Sequence, residues 1–562
     1  MEVGVYLLHR LEELGVKSLF GVPGDFNLGF LDLVEDYPGI EWIGNCNELN
    51  AAYAADGYAR IKPGSVGAVL TTYGVGELSA INAVAGCYAE IVPVVHIAGF
   101  PDLEMQKKKP IMHHTLGDGR YNIYTEAAAL ITYSQTTLNN PDTAAAEIDR
   151  VLSDCALQFR PVYIALPTDV AYLKIASDRL RIPLPRAAAP NSALAESVVI
   201  EEIVKLIEQA KGDVAVLVDV GAVRYNVVEE VKAFVEETGF PVYATSMGKS
   251  IINEAYERYG GLYIGQLTRP EIKGMIEDAK LILYIGALKS DLNTGNFTTK
   301  LDVARTVELH AATTKIKFSE YPGVGMKALL PKLTSALSPF DKSQTLSIHV
   351  PKWTYPLPQE ADEVISQNWL WSRMREFLKP KDVIVAETGT SAFGVQDIPF
   401  PKDAVFVSQI LWGSIGWAVG STLGAALAAR EKGLGRTILF IGDGSIQLTV
   451  QELSTMLREG LTPIIFILNN TGYTIERAIR GENRKYNDVA NWGWTSLMKA
   501  LGDVDGTRSK SYTVKTKTEL DSLLNDEAFA NAGVMQLVEI GGMRKFDAPY
   551  VLKVSTGKGE TW

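Results

Sequence analysis

Oxygen-bearing side chains follow two apolar segments in the last third of the chain. The segment 437–441 runs into Gly442-Asp443-Gly444, and the segment 464–468 runs into Asn469-Asn470-Thr471-Gly472. Apolar residues at near-helical spacing lie between them, so the pattern predicts a strand, a helix and a second strand. Because the carboxyl ends of parallel strands share one edge of a sheet, Asp443 and Asn470 are expected to lie close together.

These donors suit a magnesium ion that holds a diphosphate. Mg2+ prefers oxygen ligands in octahedral geometry and shares them with phosphates and water. Asp443, Asn470 and the backbone carbonyl of Gly472 would be the protein ligands. Gly444 allows close approach of the backbone, and the helix N-terminus after Ser445 presents N–H groups to phosphate. An Asp-Gly turn and an Asn-Gly loop are each common alone, but the pair, 27 positions apart, is far more specific.

The segments GDGSIQLTVQEL and LNNTGYTIE resemble the sequence fingerprint of thiamin diphosphate-dependent enzymes. In detail, the chain is similar to the thiamin diphosphate-dependent 2-oxo acid decarboxylases, and most similar to the fungal or yeast-type pyruvate decarboxylases. The resemblance covers nearly the whole chain. It implies a thiamin diphosphate-binding fold with thiamin diphosphate and Mg2+ as cofactors.

Apolar, strand-like segments alternate with helical segments along the chain, which predicts an α/β protein with mostly parallel sheets. A chain of 562 residues is expected to form several domains, because single cores rarely grow beyond about 250–300 residues. Linkers rich in proline at 183–190 and 338–358 separate three predicted α/β domains. These are an N-terminal pyrimidine-binding domain (1–182), a middle domain (192–338) and a C-terminal diphosphate-binding domain (359–562).

The resemblance assigns catalytic roles to five residues. Glu48, in NELNAAYAADGYAR, matches the glutamate that activates the cofactor through its aminopyrimidine ring. Asp25 in GVPGDFN, His113 and His114 in HHTLGDG, and Glu476 are expected to share the proton transfers. Histidine suits this role because it titrates near neutral pH.

Each of these residues also has a simpler interpretation. Asp25 follows Pro-Gly, which is a common turn, and a glutamate in the first turn of a helix complements the helix dipole. The two histidines would then be residues of a surface loop. Adjacent residues on a helix or strand point apart, so His113 and His114 are not expected to bind a metal ion together.

Two further segments complete the predicted cofactor site. Thr388 and Thr390 follow a predicted strand and suit hydrogen bonds to diphosphate. In SQILWGSIGWAVG, the resemblance gives Gly413 a backbone contact with the aminopyrimidine and places Ile415 beneath the cofactor; a core position is the alternative for Ile415. The expected cofactor-binding residues are therefore Glu48, Thr388, Thr390, Gly413, Ile415, Asp443, Gly444, Ser445, Asn470 and Gly472.

The implied reaction is nonoxidative decarboxylation of a 2-oxo acid, through a cofactor carbanion and an enamine, to an aldehyde and carbon dioxide. Ile475 and Ile479, four apart on a predicted helix, would narrow a substrate pocket shared with Leu292 and Ala392. A narrow pocket favours pyruvate as the substrate and acetaldehyde as the product. Leu292 stands where many yeast-type enzymes have phenylalanine, so phenylpyruvate, indolepyruvate and branched-chain 2-oxo acids are alternatives.

Two other functions compete with this prediction. One is an acetolactate synthase-like carboligase, and the other is a noncatalytic protein that binds thiamin diphosphate. The adjacent histidines and Glu476 favour decarboxylation, because rapid protonation competes with a second acceptor. Glu48 argues against simple binding, which does not require activation of the cofactor.

Composition limits the partners. The net charge of −12 argues against nucleic-acid binding, and no apolar run reaches the roughly 18 residues of a membrane span. Three scattered cysteines and no recognisable export signal predict a cytoplasmic protein. In the family that the chain resembles, the site lies between subunits, so a homodimer is the predicted minimal active unit and a homotetramer is expected.

Overall fold

Three β-sheets, each covered by helices, follow one another along the chain. The computed structural model describes residues 1–352 and 354–549, so residues 550–562 of the predicted third domain lie outside the described residues. Two of the sheets are wholly parallel, and the middle sheet is mostly parallel. The prediction of an α/β fold with mostly parallel sheets is confirmed.

The first sheet has the strand order β2-β1-β3-β4-β6-β5. Its strands are β1 (Ser18–Gly21), β2 (Glu41–Gly44), β3 (Gly67–Thr71), β4 (Val94–Phe100), β5 (Ser134–Thr137) and β6 (Val162–Pro167). The surrounding helices are α1 (Val3–Glu13), α2 (Leu28–Glu35), α3 (Glu48–Ile61), α4 (Val75–Ala89), α5 (Leu103–Lys108), α6 (Ile123–Ala129) and α7 (Pro141–Gln158).

The middle sheet has the order β13-β12-β11-β10-β7-β8-β9, with an antiparallel hairpin at one edge. Its strands are β7 (Val214–Val218), β8 (Val242–Ala244), β9 (Tyr259–Leu262), β10 (Leu281–Ile285), β11 (Thr306–Leu309), β12 (Thr313–Ile316) and β13 (Ser319–Pro322). Its helices are α8 (Ala193–Ala210), α9 (Gly221–Arg224), α10 (Val228–Thr238), α11 (Pro270–Glu277), α12 (Met326–Ala336) and α13 (Lys342–Leu346).

The third sheet has the order β15-β14-β16-β17-β19-β18. Its strands are β14 (Val383–Ala386), β15 (Val405–Val407), β16 (Thr437–Gly442), β17 (Ile464–Leu468), β18 (Ser509–Val514) and β19 (Met535–Ile540). Its helices are α14 (Gln367–Phe377), α15 (Thr390–Gln396), α16 (Trp417–Lys432), α17 (Asp443–Ile446), α18 (Glu452–Arg458), α19 (Thr474–Arg480), α20 (Leu497–Ala500), α21 (Lys517–Leu524) and α22 (Glu527–Ala530).

The first and third sheets have the same topology. Numbered within its own sheet, each runs 2-1-3-4-6-5, and all neighbouring strands are parallel. Their three- to seven-residue strands are almost wholly buried in the centre of each sheet, as expected when helices cover both faces. The first and last domains therefore share one strand order. The exact domain boundaries stay a prediction.

Helices α3 and α16 join these two domains through a shared core. Both are rich in alanine and glycine, and a Cβ built on Gly424 of α16 would lie 1.8 Å from the carbonyl oxygen of Ala54 in α3. A Cβ on Gly57 would lie 2.1 Å from the carbonyl oxygen of Ser421. The two backbones are thus in direct contact, and a side chain at either glycine would separate them.

We expect Gly424→Ala to destabilise the protein by about 1–3 kcal/mol, because its methyl group must push two buried helices apart. Gly274→Ala is the matched control, since Gly274 also lies within a helix but its Cβ would meet nothing closer than 3.7 Å. That control should gain up to about 1 kcal/mol from improved helix propensity. Thermal unfolding midpoints measure both effects, and equal midpoints would contradict the proposed contact.

Candidate active site

A cavity of about 230 Å3 lies at the carboxyl edge of the third sheet. It is formed by the loops that follow β14, β15, β16 and β17, together with a turn of the middle domain at Leu292. Its lining contains Leu292, Thr388, Gly389, Thr390, Ser391, Phe393, Ile415, Gly442, Gly444, Ser445, Asn470, Gly472, Tyr473, Thr474, Ile475, Glu476 and Ile479. Residues predicted separately for metal, cofactor and substrate thus share one cavity.

Asp443 directly follows β16, between Gly442 and Gly444 of the cavity lining. Gly442 pairs with Leu468 across the parallel strands, so Asp443 and Asn470 emerge at the same edge. The Asp443 side chain is buried and accepts a hydrogen bond from the N–H of Gly472 at 3.0 Å. Burial raises the pKa of Asp443 to about 6, so a nearby cation would favour its charged form.

Three oxygen positions converge at this point. One terminal atom of the Asn470 side-chain amide faces Asp443. It lies 3.2 Å from Asp443 Oδ1 and 2.8 Å from the carbonyl oxygen of Gly472. When this atom is the amide oxygen, three hydrogen-bond acceptors face one another with no proton between them. A divalent cation resolves this arrangement, and carboxylate, amide and carbonyl oxygens are the ligands that Mg2+ prefers. The residues present therefore fit a magnesium ion.

Arg477, which the sequence analysis did not select, holds this loop in place. Its buried guanidinium donates to the carbonyl oxygens of Thr471 at 2.6 Å and Asn470 at 3.3 Å, and to Asp488 at 2.9 Å. Gly472 has φ 126°, and a Cβ there would lie 2.0 Å from the carbonyl oxygen of Asn487. From the sequence, an arginine next to Glu476 is expected at the surface. Only the fold shows that Arg477 is buried.

Glu387 is a second residue that the sequence analysis gave no role. Its buried carboxylate accepts hydrogen bonds from the N–H groups of Thr388 at 2.9 Å, Gly416 at 3.1 Å and Ala418 at 3.2 Å. Burial raises its pKa to about 8. Glu387 thereby ties the loop after β14 to the loop that contains Gly413 and Ile415.

These hydrogen bonds of Glu387 position the loops that carry the predicted cofactor-binding residues next to the cavity. Thr388, Thr390 and Ile415 line the cavity, whereas Gly413 lies beside it with φ 63° and a built Cβ 3.9 Å from Thr388 Cγ2. Ala392 is buried in the core of the third domain and is not part of the cavity lining. The role of each of these residues toward a cofactor stays a prediction.

Glu48 occupies the carboxyl edge of the first sheet. It is the first residue of α3, where the Asn47 side chain caps the helix by accepting from the Asn50 N–H at 2.8 Å. A Cβ built on Gly76 would lie 3.0 Å from Glu48 Oε1. The half-buried carboxylate is therefore packed against the turn after β3.

Asp25, His113 and His114 form a cluster at the same edge of the first sheet. One Asp25 oxygen contacts His113 Nε2, and the other lies 3.8 Å from His114 Nε2. The expectation that the two imidazoles point apart is wrong, because they lie in a loop in which His114 has φ 66°. Regular helix or strand geometry does not apply to such a loop, and both rings turn toward one carboxylate.

Among the described residues, the lining of this cavity does not include the predicted residues of the first domain. The described residues that line the cavity come from the middle and C-terminal domains, and residues 1–182 contribute none of them. Glu48 and the cluster of Asp25, His113 and His114 therefore do not belong to the lining that contains Glu476.

Comparison with known protein families gives a consistent result. The family models for thiamine pyrophosphate enzymes match residues 1–119 (N-terminal TPP binding domain), 200–333 (central domain) and 387–540 (C-terminal TPP binding domain). A protein named putative pyruvate decarboxylase from Schizosaccharomyces pombe is 46% identical, over 98% of this chain and 97% of its own length.

Two further relatives match the chain over a similar length. The pyruvate decarboxylase of Aspergillus fumigatus is 43% identical, over 99% of this chain and 96% of its own length. Pyruvate decarboxylase isozyme 1 of Saccharomyces cerevisiae is also 43% identical, over 97% and 96%. The protein is thus a thiamin diphosphate enzyme of three α/β domains. It belongs to the family of yeast-type pyruvate decarboxylases.

The matched domains also confirm thiamin diphosphate as the cofactor of this family. Among the described residues, no helix combines the length and the apolar character that crossing a membrane requires.

We expect Asp443→Asn to weaken Mg2+-dependent binding of thiamin diphosphate by about tenfold or more, because it removes the charged member of the three oxygens. Tryptophan fluorescence or calorimetry, with and without Mg2+, measures this loss. Asp505→Asn, in an exposed turn, is the matched control and should bind normally. Unchanged binding by Asp443→Asn would show that the metal lies elsewhere.

Proposed function

We propose that the protein catalyses the nonoxidative decarboxylation of pyruvate to acetaldehyde and carbon dioxide. The observation that carries the proposal is the convergence of Asp443, Asn470 and Gly472 oxygens beside a cavity that also contains Glu476. Membership of the yeast-type pyruvate decarboxylase family supports the choice of substrate.

One group of residues in this chain would bind the metal ion and the diphosphate of the cofactor. Thiamin diphosphate, when bound, supplies a nucleophilic carbon and accepts the electron pair that the departing carbon dioxide leaves. Asp443, Asn470 and Gly472 would hold Mg2+, and Thr388, Thr390, Gly444 and Ser445 would hold the diphosphate. The N–H groups at the start of α17 favour this anion.

The remaining side chains orient the ring system and move protons. Ile415, in the cavity wall, would support the cofactor from below, and the Gly413 backbone would hold the aminopyrimidine. The Glu48 carboxylate would exchange a proton with the far ring nitrogen of the aminopyrimidine. Glu476, with the cluster of Asp25, His113 and His114, would deliver the proton that completes acetaldehyde.

The width of the cavity favours a small 2-oxo acid. Ile475 and Ile479 lie one turn apart on α19 and both line the cavity, opposite Leu292 of the middle domain. Branched side chains at these positions leave little room for an aromatic ring. A cavity of about 230 Å3 must also hold part of the cofactor.

We also propose a homodimer as the minimal active unit and a homotetramer as the assembled form. Glu48 and Asp443 serve one cofactor in this proposal, yet their carboxyl edges do not share a cavity within one chain. A second copy would supply the missing edge. The three cysteines carry no disulfide, which supports a cytoplasmic location.

The direct test supplies pyruvate, thiamin diphosphate and Mg2+ and measures acetaldehyde. We expect a higher kcat/KM for pyruvate than for 3-methyl-2-oxobutanoate, phenylpyruvate or indolepyruvate, and no activity without Mg2+. Acetolactate as the main product, or a preference for an aromatic 2-oxo acid, would contradict the proposal.

Ile475→Ala should raise kcat/KM for phenylpyruvate relative to pyruvate by at least about tenfold, because one methylene in a pocket is already worth about 10–200-fold. The ratio of the two kcat/KM values measures the change. Ile182→Ala, at an exposed linker position, is the matched control and should leave the ratio unchanged. A wild-type ratio in Ile475→Ala would place the substrate elsewhere.

Mixing two inactive variants tests the shared site. Glu48→Gln and Asp443→Asn subunits, unfolded and refolded together, should form hybrid dimers in which one of two sites is intact. Random pairing then restores about a quarter of wild-type activity. Activity no higher than that of the separately refolded variants would place Glu48 and Asp443 in the same subunit's site.

A further inference from the structure

We propose that Asp25, His113 and His114 form a binding site for a divalent transition metal ion such as Zn2+, separate from the magnesium site, and that occupation of this site inhibits the enzyme. The binding site stands on geometry alone. Its inhibitory effect rests on the proposed function.

The three side chains converge closely enough to share one ion. Each offers one ligand atom, and these atoms all lie within 4.8 Å of one another. His113 Nε2 contacts Asp25 Oδ2, and His114 Nε2 lies 3.8 Å from Asp25 Oδ1. With ligand bonds of about 2.0–2.2 Å, small rotations of the side chains would bring both nitrogens and one oxygen onto a common centre.

The surrounding residues hold the two imidazoles in this arrangement. His113 stacks on Phe26, with ring centroids 5.1 Å apart and planes 17° apart. The His114 carbonyl oxygen accepts from the Tyr124 hydroxyl at 2.8 Å and lies so close to Gly74 that a Cβ there would be 2.4 Å away. Because the backbone and one ring are already fixed, little further ordering is needed for an ion to bind.

The donor set selects among metal ions. Two imidazole nitrogens and one carboxylate oxygen suit Zn2+, which accepts three protein ligands and keeps a fourth position for water. Mg2+ prefers oxygen ligands and would remain at Asp443. The side chains of Asp25, His113 and His114 are 50%, 56% and 29% exposed in the subunit, so an ion can reach them.

Inhibition is expected because Zn2+ would bind the nitrogen lone pairs of His113 and His114. A nitrogen that donates its lone pair to Zn2+ can neither accept nor deliver a proton. The metal would therefore remove His113 and His114 from the proton transfers without displacing thiamin diphosphate. Activity should fall as Zn2+ binds and recover when a zinc-selective chelator is added.

The experiment uses the holoenzyme with saturating thiamin diphosphate and excess Mg2+. Equilibrium dialysis against Zn2+, and the visible absorption of Co2+ as a substitute, should show one additional ion per subunit with the spectrum of a nitrogen-containing site. His113→Gln, His114→Gln and Asp25→Asn should each weaken that binding by more than about tenfold, since even outer-shell partners cost that much.

His310→Gln is the matched control. His310 also faces a carboxylate, with Nε2 3.1 Å from Glu308 Oε2, but has no second histidine in that cluster. The His310→Gln variant should still bind the additional Zn2+ ion. Absence of the extra ion in the wild type, or its retention in both His113→Gln and His114→Gln, would overturn the site.

The activity measurements separate the two proposals. If Zn2+ binds and the wild type keeps full activity, the inhibitory role is wrong and the site alone stands. If the zinc-free holoenzyme produces no acetaldehyde from pyruvate, the proposed function fails, while the dialysis result still decides the metal site.

Discussion

The active-site region depends on three oxygen atoms that face one another at the tips of two neighbouring parallel strands. The Asn470 amide lies 3.2 Å from Asp443 Oδ1 and 2.8 Å from the carbonyl oxygen of Gly472 there. Arg477 keeps them in place by donating to backbone carbonyls of the same loop, and its charge favours the charged form of Asp443. Buried oxygens without a shared proton are costly unless a cation joins them. With the amide oxygen facing Asp443, this arrangement of acceptors therefore fits a metal ion.

The same topology appears twice and is used for two different purposes. In the third sheet, the loops after the first four strands surround the cavity. In the first sheet, the loop after the second strand leads into α3, with Glu48 at its start. Glycine contacts between α3 and α16 fix the two sheets rigidly within the subunit. Among the described residues, the lining of the cavity at the third sheet contains none from 1–182, and this is the basis for proposing a second copy.

Strand-tip residues were the most predictable part of the site. The positions of Asp443 and Asn470 follow from two apolar segments and the rule that parallel strands end at one edge, and the structure places them together. Arg477 and Glu387 escaped prediction because a charged residue beside a loop is usually exposed. Ala392, which the resemblance places at the substrate pocket, packs in the core beside the cavity, and its role toward a substrate stays a prediction. Its orientation depends on how α15 lies against α14, and periodicity alone does not reveal this.

By itself, the sequence determined the fold class, the alternation of strands and helices, and the set of side chains that could hold a metal diphosphate. These are local properties, because apolar runs form buried strands and small polar residues follow them. The tertiary structure alone decided which sets share a cavity, and that His113 and His114 turn toward one carboxylate. Both outcomes depend on contacts between residues far apart in the chain, such as Gly74 against His114. Such contacts form only when the sheets have packed.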